Sequence, residues 1–168
     1  LSRSRLCEDP IDRLTGHRRP SDLHRQMTEY ILRQALGTGI PLQIRYTGGT
    51  GAQMQDWLGA GHEYVDQGEG NLGDRMERCF RQCFQEGATE VAVIGSDCPD
   101  NRSSNMLHCF RLLKESPCVI GPAHDGGYYM LGLSRHRPEM FRGITWGTRE
   151  VLRQTLAAAG SCLLLSEL

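Results

Sequence analysis

A chain of 168 residues is long enough for one domain with a substantial core and short for two, so residues 1–168 are expected to fold as a single domain. With 19 basic and 20 acidic residues the formal net charge is −1, which excludes nucleic acid or an anionic membrane as a partner recognised by bulk charge. Any anionic ligand has to be bound locally, and no apolar run approaches the length of a membrane-spanning helix.

The seven cysteines, Cys7, Cys79, Cys83, Cys98, Cys109, Cys118 and Cys162, are odd in number and form no Cys-x-x-Cys pair. They read as reduced, mostly buried thiols of a cytoplasmic protein. Cys79 and Cys83 share a helical face, but the histidine or further cysteine partners of a zinc site are missing nearby.

Residues 1–20 carry five arginines and two prolines without apolar periodicity, and read as a loop or as a chain whose true start is missing. Ser21 suits an N-cap, and Leu23, Met27, Tyr30 and Ile31 then recur at helical spacing until Gly37 and Gly39. Residues 41–46 alternate Leu42, Ile44 and Tyr46 with polar neighbours, which predicts a short strand running into Gly48-Gly49-Thr50-Gly51. No Gly-Lys-Ser/Thr follows, so that turn reads as a plain connection rather than a phosphate loop. A short helix over 52–58, with Trp57 and Leu58 facing inward, leads to an extended segment around 63–66.

A helix beginning near Asn71 gathers Leu72, Met76, Cys79, Phe80, Cys83 and Phe84 into one apolar stripe, and Gly87 ends it. Val91-Ala92-Val93-Ile94 is a continuous apolar run, the mark of a strand buried on both faces in a parallel sheet. A helix over 103–114 is expected to bury Met106, Leu107, Phe110 and Leu113, and strands follow at 117–120 and 130–133. Phe141 and Trp146 fall in an irregular link, Thr148 is expected to cap a helix over 149–159, and 162–165 reads as a last strand. This alternation, broken by one consecutive pair of strands, predicts a three-layer α/β/α sandwich with a mainly parallel sheet.

Two acidic turns follow buried strands: Gly95-Ser96-Asp97-Cys98-Pro99-Asp100 and His124-Asp125-Gly126-Gly127-Tyr128. Open α/β sheets bind their ligands outside the carboxyl ends of the strands. If the two preceding strands run parallel, Asp97 and Asp125 emerge at one edge, where they can hold a hard divalent cation and a diphosphate between them. The alternative for Asp97 is a helix cap or an Asx turn, and for Asp125 a turn residue before a glycine pair; residue type and spacing leave both open. Asp100 reads as a cap for the helix that follows. His124 is a lone loop histidine, a type more often solvated than catalytic. Tyr128 and Tyr129 alternate faces if extended, so that one lines a pocket while the other packs. Trp146 reads as core or lid, and Cys98 lacks the base a nucleophilic thiol needs. The start of the helix at Asn71 is either a capped end or an anion site at the same edge.

These blocks together carry a resemblance. Gly95-Ser96-Asp97-Cys98-Pro99-Asp100, the run from Gly121-Pro122-Ala123-His124-Asp125-Gly126-Gly127-Tyr128-Tyr129 to Leu133, Phe141-Arg142-Gly143-Ile144-Thr145-Trp146, and Asn71-Leu72-Gly73-Asp74-Arg75-Met76 resemble blocks of the bacterial radical-SAM/selenodomain-associated transferase family of glycosyltransferase-like proteins. The resemblance implies the nucleotide-diphospho-sugar transferase fold (glycosyltransferase type A), shared with molybdopterin and phospholactate guanylyltransferases. It implies that Asp97 helps hold Mg²⁺ or Mn²⁺ on a nucleotide diphosphate, with Gly95 and Ser96 beside the substrate. It places Asp125 on the acceptor side as a catalytic or substrate-binding residue, with Gly126, Gly127 and Tyr128 as substrate contacts. Arg3-Ser4-Arg5-Leu6 resembles the Lys-Thr-Arg-Leu that ends the family's phosphate loop, which makes Arg3 and Arg5 candidates for the diphosphate.

The sequence departs from the family in three places. The first strand and glycine loop expected before Arg3 are absent, so the first strand of the fold is expected to be missing. An Asp-Val-Asp-Thr segment expected after the last strand is also absent, and Asn101-Arg102-Ser103-Ser104 replaces a leucine-rich continuation. The activity implied is metal-dependent transfer of a glycosyl group from a nucleotide-diphosphate sugar to an acceptor. The alternatives are nucleotidyl transfer onto a phosphorylated small molecule, and a non-catalytic binding or partner protein with a degenerate nucleotide site.

Overall fold

The apolar run at 91–94 lies in the middle of the molecule. In the computed structural model, which describes residues 4–9 and 20–168, it forms β4 (Glu90–Gly95), with Val91, Ala92 and Ile94 fully buried. The other strands are β1 (Ser4–Asp9), β2 (Leu42–Tyr46), β3 (Glu63–Asp66), β5 (Cys118–Pro122), β6 (Tyr128–Leu133) and β7 (Leu163–Leu164). They join in one sheet in the order β3-β2-β1-β4-β6-β5-β7. Strands β1 to β4 are mutually parallel, β6 is antiparallel to both β4 and β5, and β7 is parallel to β5.

Helices cover both faces, as the alternating pattern predicts. On one side α3 (Leu72–Gln85) and α5 (Val151–Ala159) enclose Cys79, Phe80 and Cys83 against Val91, Leu131 and Leu133, helped by a 3₁₀ turn at Pro138–Phe141. On the other, α1 (Pro20–Leu36) and α4 (Ser103–Leu112) pack Ile31, Ala35, Met106 and Cys109 on Ala92, Ile94 and Val119. The neighbours Val91 and Ala92 thus serve opposite cores, the period of two that a strand imposes. The short α2 (Gly51–Leu58) adds a smaller cluster of Met54 with Leu32 and Ile44; Thr50 closes its start with a capping box, and the glycine-rich turn is the plain connection expected.

Four local expectations are corrected. A first strand is present: Ser4–Asp9 fills the slot between β2 and β4, in register Leu6↔Leu42 and Arg5↔Val91. Two parallel neighbours offer rows of N–H and C=O groups that an extended segment satisfies through its backbone, so apolar periodicity is not required of it. In β2 the polar residues are buried as well, Gln43 at 1% and Arg45 at 3% exposure. They satisfy one another: Arg45 Nε donates to Gln43 Oε1 at 2.7 Å, Arg45 Nη1 to Gln82 Oε1 of α3 at 2.6 Å, and Gln43 Nε2 to Glu63 Oε1 at 2.7 Å.

The inward stripes of α1 and α4 shift, with Leu23 and Leu107 exposed and Cys109 buried in their place. Helix α5 begins at Val151 rather than 149, because Thr148 shapes the turn before it: its hydroxyl donates to the Thr145 carbonyl at 2.7 Å and accepts from Glu150 N at 3.3 Å.

Candidate functional site

Both β4 and β5 run antiparallel to the strand between them, so they run parallel to each other. Met130 of β6 pairs with Ile94 on one side and Gly121 on the other, which sets the ends of β4 and β5 level at one sheet edge. The acidic turns leave from that edge and line one cavity of about 590 Å³, which includes Asp97, Asp125, Tyr128 and Trp146. A smaller cavity of about 160 Å³ shares Leu72, Asp97, Tyr128 and Tyr129 with it and adds Gly95.

Asp97 is exposed, and its carboxylate folds back over Gly95, where an added Cβ would lie 2.7 Å from Oδ1. The next residue before it, Ser96, is buried at 1% exposure. The cap alternatives for Asp97 and Asp100 do not hold. Helix α4 starts at Ser103 with Arg102 in the cap position and no side-chain cap, while Asp100 offers only its carbonyl, to Asn105 Nδ2 at 3.4 Å. The chain turns instead through the backbone, Asn101 N donating to Cys98 O at 3.0 Å. Burial raises the pKa of the Cys98 thiol, which keeps it protonated and a poor nucleophile.

At Asp125 the turn reading and the site reading meet in one residue. Its Oδ1 accepts from Gly127 N at 2.8 Å in an Asx turn, yet the residue is exposed and lines the cavity. Gly126 has φ of +90°, and an added Cβ would come within 2.7 Å of Arg149 Cα. Its carbonyl accepts from Leu152 N at 2.9 Å, so the turn is clamped to the start of α5. His124 is exposed; its N–H donates to Leu168 O at 3.0 Å and its Nδ1 lies 3.4 Å from Glu167 Oε1, a solvated pair with little energetic weight.

The two tyrosines do occupy opposite faces. Tyr128 faces α3, its hydroxyl 3.9 Å from Met76 Sδ, and Tyr129 lies across Gly121 and donates to Ser166 O at 3.0 Å. Burial raises the phenol pKa of Tyr128 and pushes that of Tyr129 up to about 12, so both remain neutral and neither is a base at ordinary pH.

Of the arginines expected at a diphosphate, Arg3 lies outside the described residues. Arg5 is not brought to the cavity. It sits opposite Val91, at the other end of β4 from Gly95, and forms ion pairs with Glu86 and, at 3.8 Å, with Glu63. Once Ser4–Asp9 is a strand between β2 and β4, its start lies at the edge remote from Asp97.

The wall facing the two acidic turns is Leu72, at the helix start expected at this edge, Trp146, expected as core or lid, and Arg149; what sequence reasoning missed is Arg149 and the seat of Trp146 on α3. The available signal was Gly73, a buried glycine inside a helix, which costs about 1 kcal/mol relative to alanine and implies a close approach.

Among the described residues no group of three or more His, Cys, Asp or Glu is placed to hold a metal ion. That donor set does not make an all-protein cage. It does suit an ion of the magnesium type, which takes one or two carboxylates and completes its shell with phosphate oxygens and water.

No curated protein sequence matches the chain. The fold is similar to that of a crystal structure from Desulfovibrio desulfuricans G20, provisionally described as a nucleotide-diphospho-sugar transferase, with 27% identity and a TM-score of 0.89 over 99% of this chain and 81% of that one. Rv0371c from Mycobacterium tuberculosis H37Rv, solved in complex with manganese, has 14% identity and a TM-score of 0.63 over 99% of this chain and 89% of its own. CMP:2-keto-3-deoxy-manno-octonic acid synthetase, solved with CTP, has 9% identity and a TM-score of 0.64 over 98% of this chain and 90% of its own. Residues 31–148, with the Asn71, Asp97 and Asp125 blocks, match the model of a family described as uncharacterized protein conserved in bacteria (DUF2064), and the chain, with its nucleotide-diphospho-sugar transferase fold, belongs to that family.

Proposed function

We propose that the protein is a metal-dependent glycosyltransferase that binds a nucleotide-diphosphate sugar at Asp97 and passes the glycosyl group to an acceptor beside Asp125. The observation that carries this reading is the pairing of two exposed carboxylates in one cavity at the carboxyl edge of the sheet. Among the described residues Arg149 and His124 are the basic ones lining it, and a cation at the carboxylates adds the positive charge that receives a diphosphate. Asp97 is the carboxylate for that ion, Mg²⁺ or Mn²⁺, which when bound stabilises the leaving diphosphate. The manganese complex of Rv0371c, which shares the fold, supports this assignment.

Asp125 is held ready by its own turn. The Gly127 N–H occupies Oδ1 and fixes the plane of the carboxylate, leaving Oδ2 to accept the proton of an attacking hydroxyl. Gly126 and Gly127 keep this turn narrow against α5, Gly95 and Ser96 shape the support of Asp97, and Tyr128 offers a neutral wall to the substrate. Catalysis in such a site is positioning and charge stabilisation more than covalent chemistry.

The test is calorimetry with UDP-, GDP- and CMP-linked sugars in the presence of Mn²⁺. One of them is expected to bind, and Asp97→Ala is expected to abolish the metal-dependent part of that binding with the fold intact. Unchanged affinity in that variant sinks the metal assignment, and no binding by any donor favours a non-catalytic partner protein. The CTP complex of a protein with the same fold supports a second reading, nucleotidyl transfer onto a phosphorylated acceptor. Product analysis separates the two, because glycosyl transfer releases a nucleoside diphosphate and nucleotidyl transfer releases pyrophosphate.

A further inference from the structure

We infer that Trp146, seated on Gly73, forms with Leu72 the apolar wall of an acceptor subsite that takes the ring face of an uncharged, hydroxyl-bearing molecule such as a glycoside. This rests on the glycosyltransferase reading and names the acceptor class for the same site. Gly73 is buried in the first turn of α3, and an added Cβ would come within 2.7 Å of Trp146 Cε2. The helix thus gives up a side chain to let the indole lie against its backbone, which fixes the ring in place.

The loop bearing Trp146 is fixed at its other side. Thr145 N donates to Gln154 Oε1 at 2.7 Å, Gln154 Nε2 donates to Thr145 Oγ1 at 3.1 Å, and Thr148 Oγ1 closes onto Thr145 O at 2.7 Å. A half-buried indole held on two sides is a preorganised stacking surface, and binding loses little side-chain entropy there. Leu72 stands beside it at 42% exposure, a large apolar side chain open to the cavity that also holds Asp125.

Charge selects the ligand class. On the acceptor side Asp125 repels a phosphorylated ligand, and among the described residues the basic side chains of the lining are Arg149 and His124, the latter already beside Glu167. A neutral ring pays no such penalty: its apolar face covers Trp146 and Leu72 while a hydroxyl at its rim reaches the carboxylate of Asp125.

The chain has two tryptophans, and Trp57 belongs to α2, where its Nε1 donates to Glu29 at 2.8 Å and Arg25 lies over its ring. Trp57→Phe therefore leaves Trp146 as the single indole reporter. In that background, without nucleotide, phenyl β-D-glucopyranoside is expected to change the emission saturably, and glucose 6-phosphate to bind at least tenfold more weakly. Gly73→Ala, which must push the indole off its seat, is expected to weaken phenyl glucoside binding at least tenfold while Mn²⁺-dependent nucleotide-sugar binding stays within threefold. If Gly73→Ala does not fold, Trp146→Ala measured by calorimetry is expected to show the same loss.

No emission change with phenyl glucoside overturns the subsite. So does equal or tighter binding of glucose 6-phosphate, or full phenyl glucoside affinity in a folded variant lacking the Gly73 or Trp146 contact. Because the fluorescence titration contains no nucleotide, a failure of donor binding in calorimetry counts against the transferase reading separately.

Discussion

Asp97 and Gly95 work as one unit: the carboxylate can lie back along the chain because its neighbour two residues earlier has no Cβ. Asn101, four residues further on, is the opposite case, a residue type at odds with its surroundings. It is fully buried, and neither its Oδ1 nor its Nδ2 has a hydrogen-bond partner among the described residues. A buried polar group left unpaired costs about 1–3 kcal/mol, whereas an apolar group of similar shape at the same place costs nothing of the kind. Asn101→Leu is therefore expected to raise the melting temperature by about 2–4 °C, the shift that about 1 kcal/mol produces in a domain of this size. A thermal melt showing a lower temperature would mean that the amide has a partner in the folded protein. The sequence alone marks this position as a departure from a leucine-rich pattern, but burial is a property of the fold, so the cost of the asparagine is invisible until α4 is docked.

Among the elements, the hairpin of β5 and β6 with the start of α5 forms the working part of the site. Gly126 joins them through its positive φ, its carbonyl bond to Leu152 N and its contact with Arg149. Gly126→Ala meets both a disfavoured backbone region and the Arg149 backbone, a loss of more than about 1 kcal/mol. The variant is expected to melt at a lower temperature and to lose turnover more than donor binding, since the displaced turn carries Asp125 and not Asp97. Equal losses of both in a steady-state assay would put Asp125 on the donor side. The core strands and this glycine turn were legible because they announce themselves locally, in four consecutive apolar residues and in an Asp-Gly-Gly. Strand β1 was not, because its reason for being a strand lies in the open ladders of β2 and β4. The same holds for Gln43 and Arg45, whose burial depends on α3 delivering Gln82 from 37 residues away.

At the scale of the whole molecule, β6 binds the two halves of the site together, and its first two residues send phenols to both faces of the sheet. Tyr128 enters the core under α3 and α5, while Tyr129 crosses Gly121 and ties down the C-terminal segment at Ser166. Burial raises both phenol pKa values, that of Tyr129 from 10.0 to about 12. The folded state therefore binds these protons more tightly than the unfolded chain does. Below pH 10 both states hold the proton and the stabilisation is complete; as pH climbs from 10 towards 12 the unfolded chain ionises first and stability falls. The melting temperature is expected to decline steeply across that window, and Tyr129→Phe, which has no proton to lose, is expected to flatten the decline while starting lower for want of the Ser166 bond. Parallel declines in the two proteins would mean that the Tyr129 ring is hydrated in the native state. In that case the contact across Gly121 would not be held by packing at this end of the sheet, and the Asp97 and Asp125 turns would rely on the backbone register of β6 alone.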